Sequence, residues 1–355
     1  MKKPIISFCI ATYQRYDILK ELIEEILSVE SDDLEVVVND DHSMDASYEK
    51  IKTIKDERLR IYSNQVNLGS IENVFQLLEY GKGTYLFYLN DRDNVDPIKI
   101  LKLISILRLF DQRKVAFAKC VPVLNVKKDF EIFQPGRDSF VEFACRQQHI
   151  SGFIFRNEVW RSIKNRRDFF TGQKHGDWPY THIYALMAVH DSGAVIYNDI
   201  CNVDRERIDF AKVRSGFYLK RKDKRLWYKP EVQWRELRTA YLFLKSMPVS
   251  GEWVRDAICK RYNETLGRIM LDYSFYVSLP MNTLHYGLQI SNHKFKNHCE
   301  EFYNGLYVWI HANFLWRQDP NLLIRINQIT AGFVKRYLEV VSKDFLSYIF
   351  AADSK

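Results

Sequence analysis

Carboxylates and amides recur in this chain directly after apolar runs. Asp91 and Asp93, with Arg92 between them, follow TYLFYLN; Asp40 and Asp41 close LEVVVNDD; Asn67 and Gly69 follow LRIYSNQV. Carboxylates gathered at one edge repel each other unless something positive sits among them, and hard oxygen ligands at short spacing suit Mg²⁺ or Mn²⁺. An ion held by few protein ligands completes its shell with water and substrate phosphates. Phosphate-linked chemistry is therefore the expectation. Asp96-Pro97 in the same stretch has another use, an N-cap followed by proline at the first helical position.

The elements that must position these groups alternate regularly. PIISFCIAT, LEVVVND, LRIYSN and TYLFYLND read as buried strands. DILKELIEEIL, SYEKIKTI, SIENVFQLLEYG and IKILKLISILRLF read as the helices between and after them, Asp17 capping the first and Gly81 closing the third. Recurring βαβ units wind right-handedly into a Rossmann-like, mostly parallel α/β sheet with helices on both faces, and ligands of such sheets bind at the carboxyl ends of the strands. Every acidic or amide segment above falls at such an end. Further along, VAFAKCVPVL and GAVIYND predict strands, SGFIFRNEVWRSI a strand running into a helix, and DWPYTHIYALMAV a helix. From residue 231 the helical period dominates, with Leu322, Ile326, Ile329, Phe333, Tyr337, Val340 and Val341 on one stripe. The expected organisation is an α/β domain over residues 1–230 and a helical domain over 231–355.

Composition narrows the classes. With 355 residues and 46% apolar content the chain can fill a substantial core. Six cysteines form no CxxC pair, which fits reduced cytosolic thiols. MKKPIISFCIATYQRYD has no small-residue cleavage site and reads as a first strand, and no apolar run reaches the ~18 residues of a membrane span. A cytoplasmic protein is expected, at most peripheral at the inner face of a membrane. The net charge is +7, and KRKDKRLWYK, from Lys220 to Lys229, concentrates much of it. A solvated face explains that run most simply, and no nucleic-acid partner is expected. ATYQRYD offers neither the glycines of a dinucleotide fingerprint nor a Walker loop, and there is no GxSxG elbow. HKFKNHC fits no standard zinc spacing.

PIISFCIATYQR, LEVVVNDDHSMD, NQVNLG and GTYLFYLNDRDNVDP, in this order over roughly residues 4–205, resemble the N-terminal half of family-2 glycosyltransferases of the GT-A fold. The resemblance implies a nucleotide-sugar donor, UDP-linked by expectation, a Mn²⁺ or Mg²⁺ cofactor, and transfer with inversion to a glycan, glycolipid or glycosylated protein. It implies that Thr12 and Tyr13 line the nucleobase pocket, that Arg15 nears the phosphates, that Asp40 and Asp41 meet base and ribose, and that Asn67 and Gly69 form the turn beside the nucleotide. Asp91-Arg92-Asp93 stands at the DxD signature, Asp93 as metal ligand with Asp91 in support and Arg92 turned away or paired with a phosphate. Aligned on Pro97, Asn90 and Arg92 replace acids common in the family.

Transfer needs a base, because a sugar hydroxyl is a poor nucleophile at neutral pH. The family's acidic motif before a late helix matches GQKHGDWPYTHIYAL, with Asp177 as the base and Gly176 where glutamate is usual. A lone Asp there also reads as an N-cap. His175 is a lesser candidate for the base. Ser151, Gly152, His175 and Trp178 resemble acceptor-side residues, and Arg205 and Arg207 lie where they could assist the leaving phosphate. Two other classes remain open: a GT-A-fold binding or scaffold protein that has lost its chemistry, motivated by Asn90, Arg92 and Gly176, and a nucleotidyltransferase, whose glycine- and lysine-rich loop ATYQRYD lacks. The C-terminal helices could pair two copies of the chain, shape the acceptor site or rest on a membrane.

Overall fold

The computed structural model describes residues 3–121, 127–144, 151–172, 179–197, 200–203, 230–273 and 319–340. The chain divides into two compact units, Met1–Ile208 and Asp209–Lys355.

In the first unit, strands β1 (Ile6–Thr12), β2 (Leu34–Asp40), β3 (Leu59–Ser63) and β4 (Tyr85–Asn90) alternate with helices α1 (Tyr16–Leu27), α2 (Ser47–Ile51) and α3 (Ser70–Tyr80). After β4 come β5 (Asp93–Val95), α4 (Pro97–Gln112), β6 (Phe117–Val121), β7 (Phe130–Phe133), α5 (Arg137–Phe143), β8 (Phe153–Arg156), α6 (Asn157–Ser162), α7 (Arg166–Thr171), α8 (Pro179–Ala188), β9 (Gly193–Tyr197) and β10 (Cys201–Val203). The main sheet runs β3-β2-β1-β4-β8-β6-β9-β7. Its first four strands are mutually parallel, as are β6 and β9. β8 runs antiparallel to both β4 and β6, and β7 antiparallel to β9.

Every residue of β2 is buried, which is why that strand reads as a continuous apolar run rather than an alternating one. Ile6, Phe8 and Ile10 of β1 share one buried cluster with Leu19, Leu22, Ile23 and Ile26 of α1 and Ile100, Leu103 and Leu107 of α4. Asp96 caps α4 as expected, its carboxylate accepting from Ile98 N at 3.0 Å, with Pro97 opening the helix. Asp17 does not cap α1. The Arg15 carbonyl already accepts from Leu19 N at 3.0 Å, so the helix starts earlier and Asp17 sits in its first turn, where its charge suits the helix dipole.

The sequence places Asp91 and Asp93 together at the end of one strand. Instead Asp93 begins the short strand β5, which pairs antiparallel with β10 in the register Asp93↔Val203, Asn94↔Asn202 and Val95↔Cys201.

At the opposite, amino-terminal edge of the sheet, Ser7 Oγ donates to Glu35 Oε1 at 2.6 Å and accepts from Gly83 N at 2.8 Å, while Arg60 reaches Glu35 at 3.1 Å. Gly83 is packed against this knot so closely that a Cβ would stand 2.7 Å from Ser7 N and 2.9 Å from the Ile6 carbonyl carbon. Backbone cannot yield as a side-chain tip can. Gly83→Ala should therefore destabilise the protein by about 1–3 kcal/mol, read as a lower urea midpoint with an unchanged m-value.

The second unit is helical where it is described. α9 (Pro230–Ser246) and α11 (Pro320–Val340) both pack on α10 (Gly251–Tyr273). Leu322 and Ile326 are fully buried, Tyr262 Oη lies 2.7 Å from Thr330 Oγ1, and Arg325 pairs with Asp256 at 2.9 Å and with Glu252. The side chains of Phe333, Tyr337, Val340 and Val341, which continue the predicted stripe, lie outside the described residues, as does the basic run 220–229. Among the described residues no helix is long and apolar enough to cross a membrane.

Candidate functional site

β1 lies between β2 and β4, with Thr12 opposite Asp40 and Ala11 opposite Asn90. This register brings the loops after three strands to one edge. Asp91 is the best-held group there, almost fully buried, with Thr12 Oγ1 donating to Oδ2 at 3.0 Å and Arg15 donating to both carboxylate oxygens at 3.0 Å. Arg15 thus supplies, from the protein itself, a positive charge that a crowded acidic edge demands.

Asp93 is equally buried and accepts from Ser151 Oγ, which in turn accepts from Asn90 N at 2.8 Å. Burial pushes the Asp93 carboxyl up to about 6, the Ser151 bond holds it back, and nearby Asp91 adds to the rise. Arg92 is exposed, and its backbone N–H donates to Asn90 Oδ1 at 3.2 Å, so Asn90 shapes the turn between the two acids. Gly152 follows Ser151 at φ +86°, and a Cβ there would stand 3.0 Å from Cys120 Cβ. The Ser151-Gly152 pair is thereby fixed beneath the acids.

Asp40 and Asp41 are both buried and both engaged by the protein's own donors. Asp40 accepts from Ser43 N at 2.9 Å, from Ser43 Oγ and from Ser63 Oγ at 3.3 Å. Asp41 accepts from Asn64 Nδ2 and Leu68 N at 2.8 Å and from Gly69 N at 2.9 Å. The pair therefore ties down the loops after β2 and β3; with about four acceptor positions, a carboxylate so used keeps capacity for a ligand. Gly69 stands at φ +83° as it enters α3, and its N–H also reaches Asn67 Oδ1 at 3.1 Å. Tyr13, Met44, Val66 and Leu68, on the loops after β1, β2 and β3, are exposed apolar side chains along the same edge. They offer faces on which a flat ring can lie beside the carboxylates.

Asp177, His175, Trp178 and Gly176 lie outside the described residues, as do Arg205 and Arg207. The helix expected after Asp177 forms as α8, its first residues Pro179 and Tyr180 buried. Among the described residues no group of three or more His, Cys, Asp or Glu is arranged to hold a metal ion. The donors nonetheless fit a hard divalent cation with few protein ligands: Asp91 and Asp93 offer carboxylate oxygens, and the upward shift of Asp93 is one that a neighbouring cation relieves. Sequence reasoning passed over Lys119, which is buried in β6 and donates to the Ser151 carbonyl at 2.5 Å. The signal was visible as a lysine inside the apolar run VAFAKCV.

A sheet with this strand order, carrying carboxylates at the ends of β2 and β4 and an Asn-x-Gly turn after β3, has the GT-A fold. Residues 7–175 match the model of glycosyl transferase family 2. Curated relatives that match include one from Rhizobium meliloti and one from Escherichia coli. The succinoglycan biosynthesis protein ExoO of Rhizobium meliloti is 30% identical over 104 residues, 29% of this chain and 30% of its own length. The Escherichia coli protein named UDP-Glc:alpha-D-GlcNAc-diphosphoundecaprenol beta-1,3-glucosyltransferase WfaP is 28% identical over 128 residues, 36% of this chain and 49% of its own. The chain thus spans less than half the length of either relative. Among solved structures, S. aureus TarS 1–349 in complex with UDP-GlcNAc shares the fold at a TM-score of 0.51 and 12% identity, over 80% of this chain and 78% of that one.

Proposed function

We propose that this protein transfers a sugar from a UDP-sugar to a hydroxyl of a glycan, glycolipid or glycosylated protein, with inversion at the anomeric carbon. The observation that carries the reading is the buried pair Asp91 and Asp93 at the carboxyl end of β4, Asp91 paired with Arg15 and Asp93 accepting from Ser151 Oγ, beside the apolar edge of Tyr13, Met44, Val66 and Leu68. A nucleobase lies against that edge, and its diphosphate reaches the acids. Asp93, with Asp91 in support, would hold Mn²⁺ or Mg²⁺; the ion offsets charge on the diphosphate as the glycosyl bond breaks. Asp177 takes the proton of the acceptor hydroxyl on the face opposite the diphosphate, which makes the displacement in-line and inverting. Ser151 and Gly152 face the acceptor side.

The UDP donor is supported by the name of WfaP, which gives UDP-Glc as donor and a lipid-diphosphate-linked sugar as acceptor. An acceptor of that kind would bring the protein to the inner face of a membrane. A second reading, nucleotide-sugar binding without transfer, is favoured by one observation: Arg15 already occupies both oxygens of Asp91.

The deciding experiment incubates the purified protein with Mn²⁺ and a panel of UDP-, GDP- and dTDP-sugars, with mass-spectrometric detection of hydrolysis and transfer. Turnover of a UDP-sugar that Asp177→Asn lowers by about 10²–10⁴-fold, with donor binding retained, is expected. Binding without any turnover favours the second reading, and undiminished turnover in Asp177→Asn removes that residue from the mechanism.

A further inference from the structure

We propose that Lys119 is a positioning residue for the diphosphate end of the site, acting through Ser151 on Asp93. The inference rests on the reading above.

Lys119 lies in the body of β6, between β8 and β9, and is 1% exposed. Its strand neighbours Phe117, Ala118, Cys120 and Val121 are all core residues. Burying an ammonium there carries a desolvation penalty that a methionine of similar length would avoid. A charge held at such a place needs a use.

Its position is fixed from two sides. Nζ donates to the Ser151 carbonyl at 2.5 Å and stands 4.1 Å from the centroid of the Phe153 ring. Phe153 stacks on Tyr180 of α8 at 4.9 Å, and Tyr180 stacks on Tyr88 of β4 at 5.3 Å. The cation therefore caps a column of three rings drawn from β8, α8 and β4, the strand that leads into the acids.

Ser151 is the junction between this cation and the acids. Its carbonyl receives Lys119, its hydroxyl donates to Asp93 Oδ2, and the same hydroxyl accepts from Asn90 N. The backbone around it is pinned as well, since Gly152 N donates to Tyr88 O at 2.9 Å and Cys120 N to Gly152 O at 3.0 Å. Lys119 thus fixes the peptide whose side chain orients Asp93. Outer groups that orient a ligating carboxylate are commonly worth 10–100-fold in metal affinity.

The test compares the wild type with Lys119→Met, Ser151→Ala and the double variant. Binding of UDP in sub-saturating Mn²⁺, and of Mn²⁺ itself, is measured by calorimetry, alongside thermal unfolding. Each single variant should weaken binding roughly tenfold, and the double should be no weaker than the weaker single, because both changes cut the same link. Ser151→Ala keeps the backbone carbonyl and serves as the gentle arm if Lys119→Met unfolds. Lowered melting temperature with unchanged UDP affinity, tighter binding in Lys119→Met, or losses that add in the double variant would each overturn the proposal. Absence of UDP binding by the wild type would overturn the parent reading along with it, whereas equal binding across the variants overturns this inference alone.

Discussion

Asp93→Asn should leave a folded protein that has lost sugar transfer by about 10²-fold or more, the scale on which one missing electrostatic group is felt in a water-poor site. The replacement is nearly isosteric. The amide oxygen can still accept from Ser151 Oγ, so the turn that Asn90 and Ser151 build is preserved. What disappears is the charge. Burial already pushes the Asp93 carboxyl up to about 6, which means that the folded state holds the ionised form against its preference. A neutral amide removes that penalty, and the melting temperature should stay level or rise while turnover in Mn²⁺ falls. Stability and activity moving apart in this way is the mark of a group kept for function. If melting falls by several degrees and turnover survives, Asp93 is a structural residue of β5 and the metal assignment fails.

The parts of this picture that were legible in the sequence are those in which a local pattern reports a local cause. β1, β2 and β4 are covered on both faces, so their burial appears as unbroken apolar runs. Asp96-Pro97 declares a helix start because cap and proline act within one turn. The rule that ligands meet parallel strands at their carboxyl ends puts Asp41 and Asp91 at one edge, the edge that the register of β1 with β2 and β4 builds.

Long-range pairings were not legible. β5 is too short to show a period, and its partner β10 comes from a distant part of the chain. The insertion of β8 between β4 and β6, antiparallel to both, leaves no mark in either strand. Side-chain partnerships were hidden for the same reason. Arg15 pairs with Asp91, and Asp41 holds the Leu68 and Gly69 amides. Lys119 was in plain view inside an apolar strand. Its meaning needed Ser151, which only the fold brings to it.

The high aromatic content also acquires a place in the fold, and from it comes the largest expected loss of stability. Trp160 of α6 is fully buried, with ring centroids at 5.3 Å to Phe155 of β8, 5.9 Å to Phe75 of α3 and 5.7 Å to Phe170 of α7, the last edge-on. Its indole N–H donates to Glu79 Oε1 at 2.8 Å, and Arg166 holds the same carboxylate at 2.8–3.0 Å. Trp160→Ala removes the ring on which three elements meet and leaves a cavity that rigid neighbouring rings cannot close, a loss of about 3–5 kcal/mol. Domains are typically stable by only about 5–15 kcal/mol, so this variant should be at the margin of folding. Trp160→Phe keeps most of the volume and forfeits the hydrogen bond, but Glu79 retains Arg166, so its loss should be nearer 1 kcal/mol. Urea unfolding followed by far-ultraviolet dichroism separates the two. Equal midpoints for both variants would mean that the hydrogen bond to Glu79, rather than the packed ring, is what Trp160 contributes.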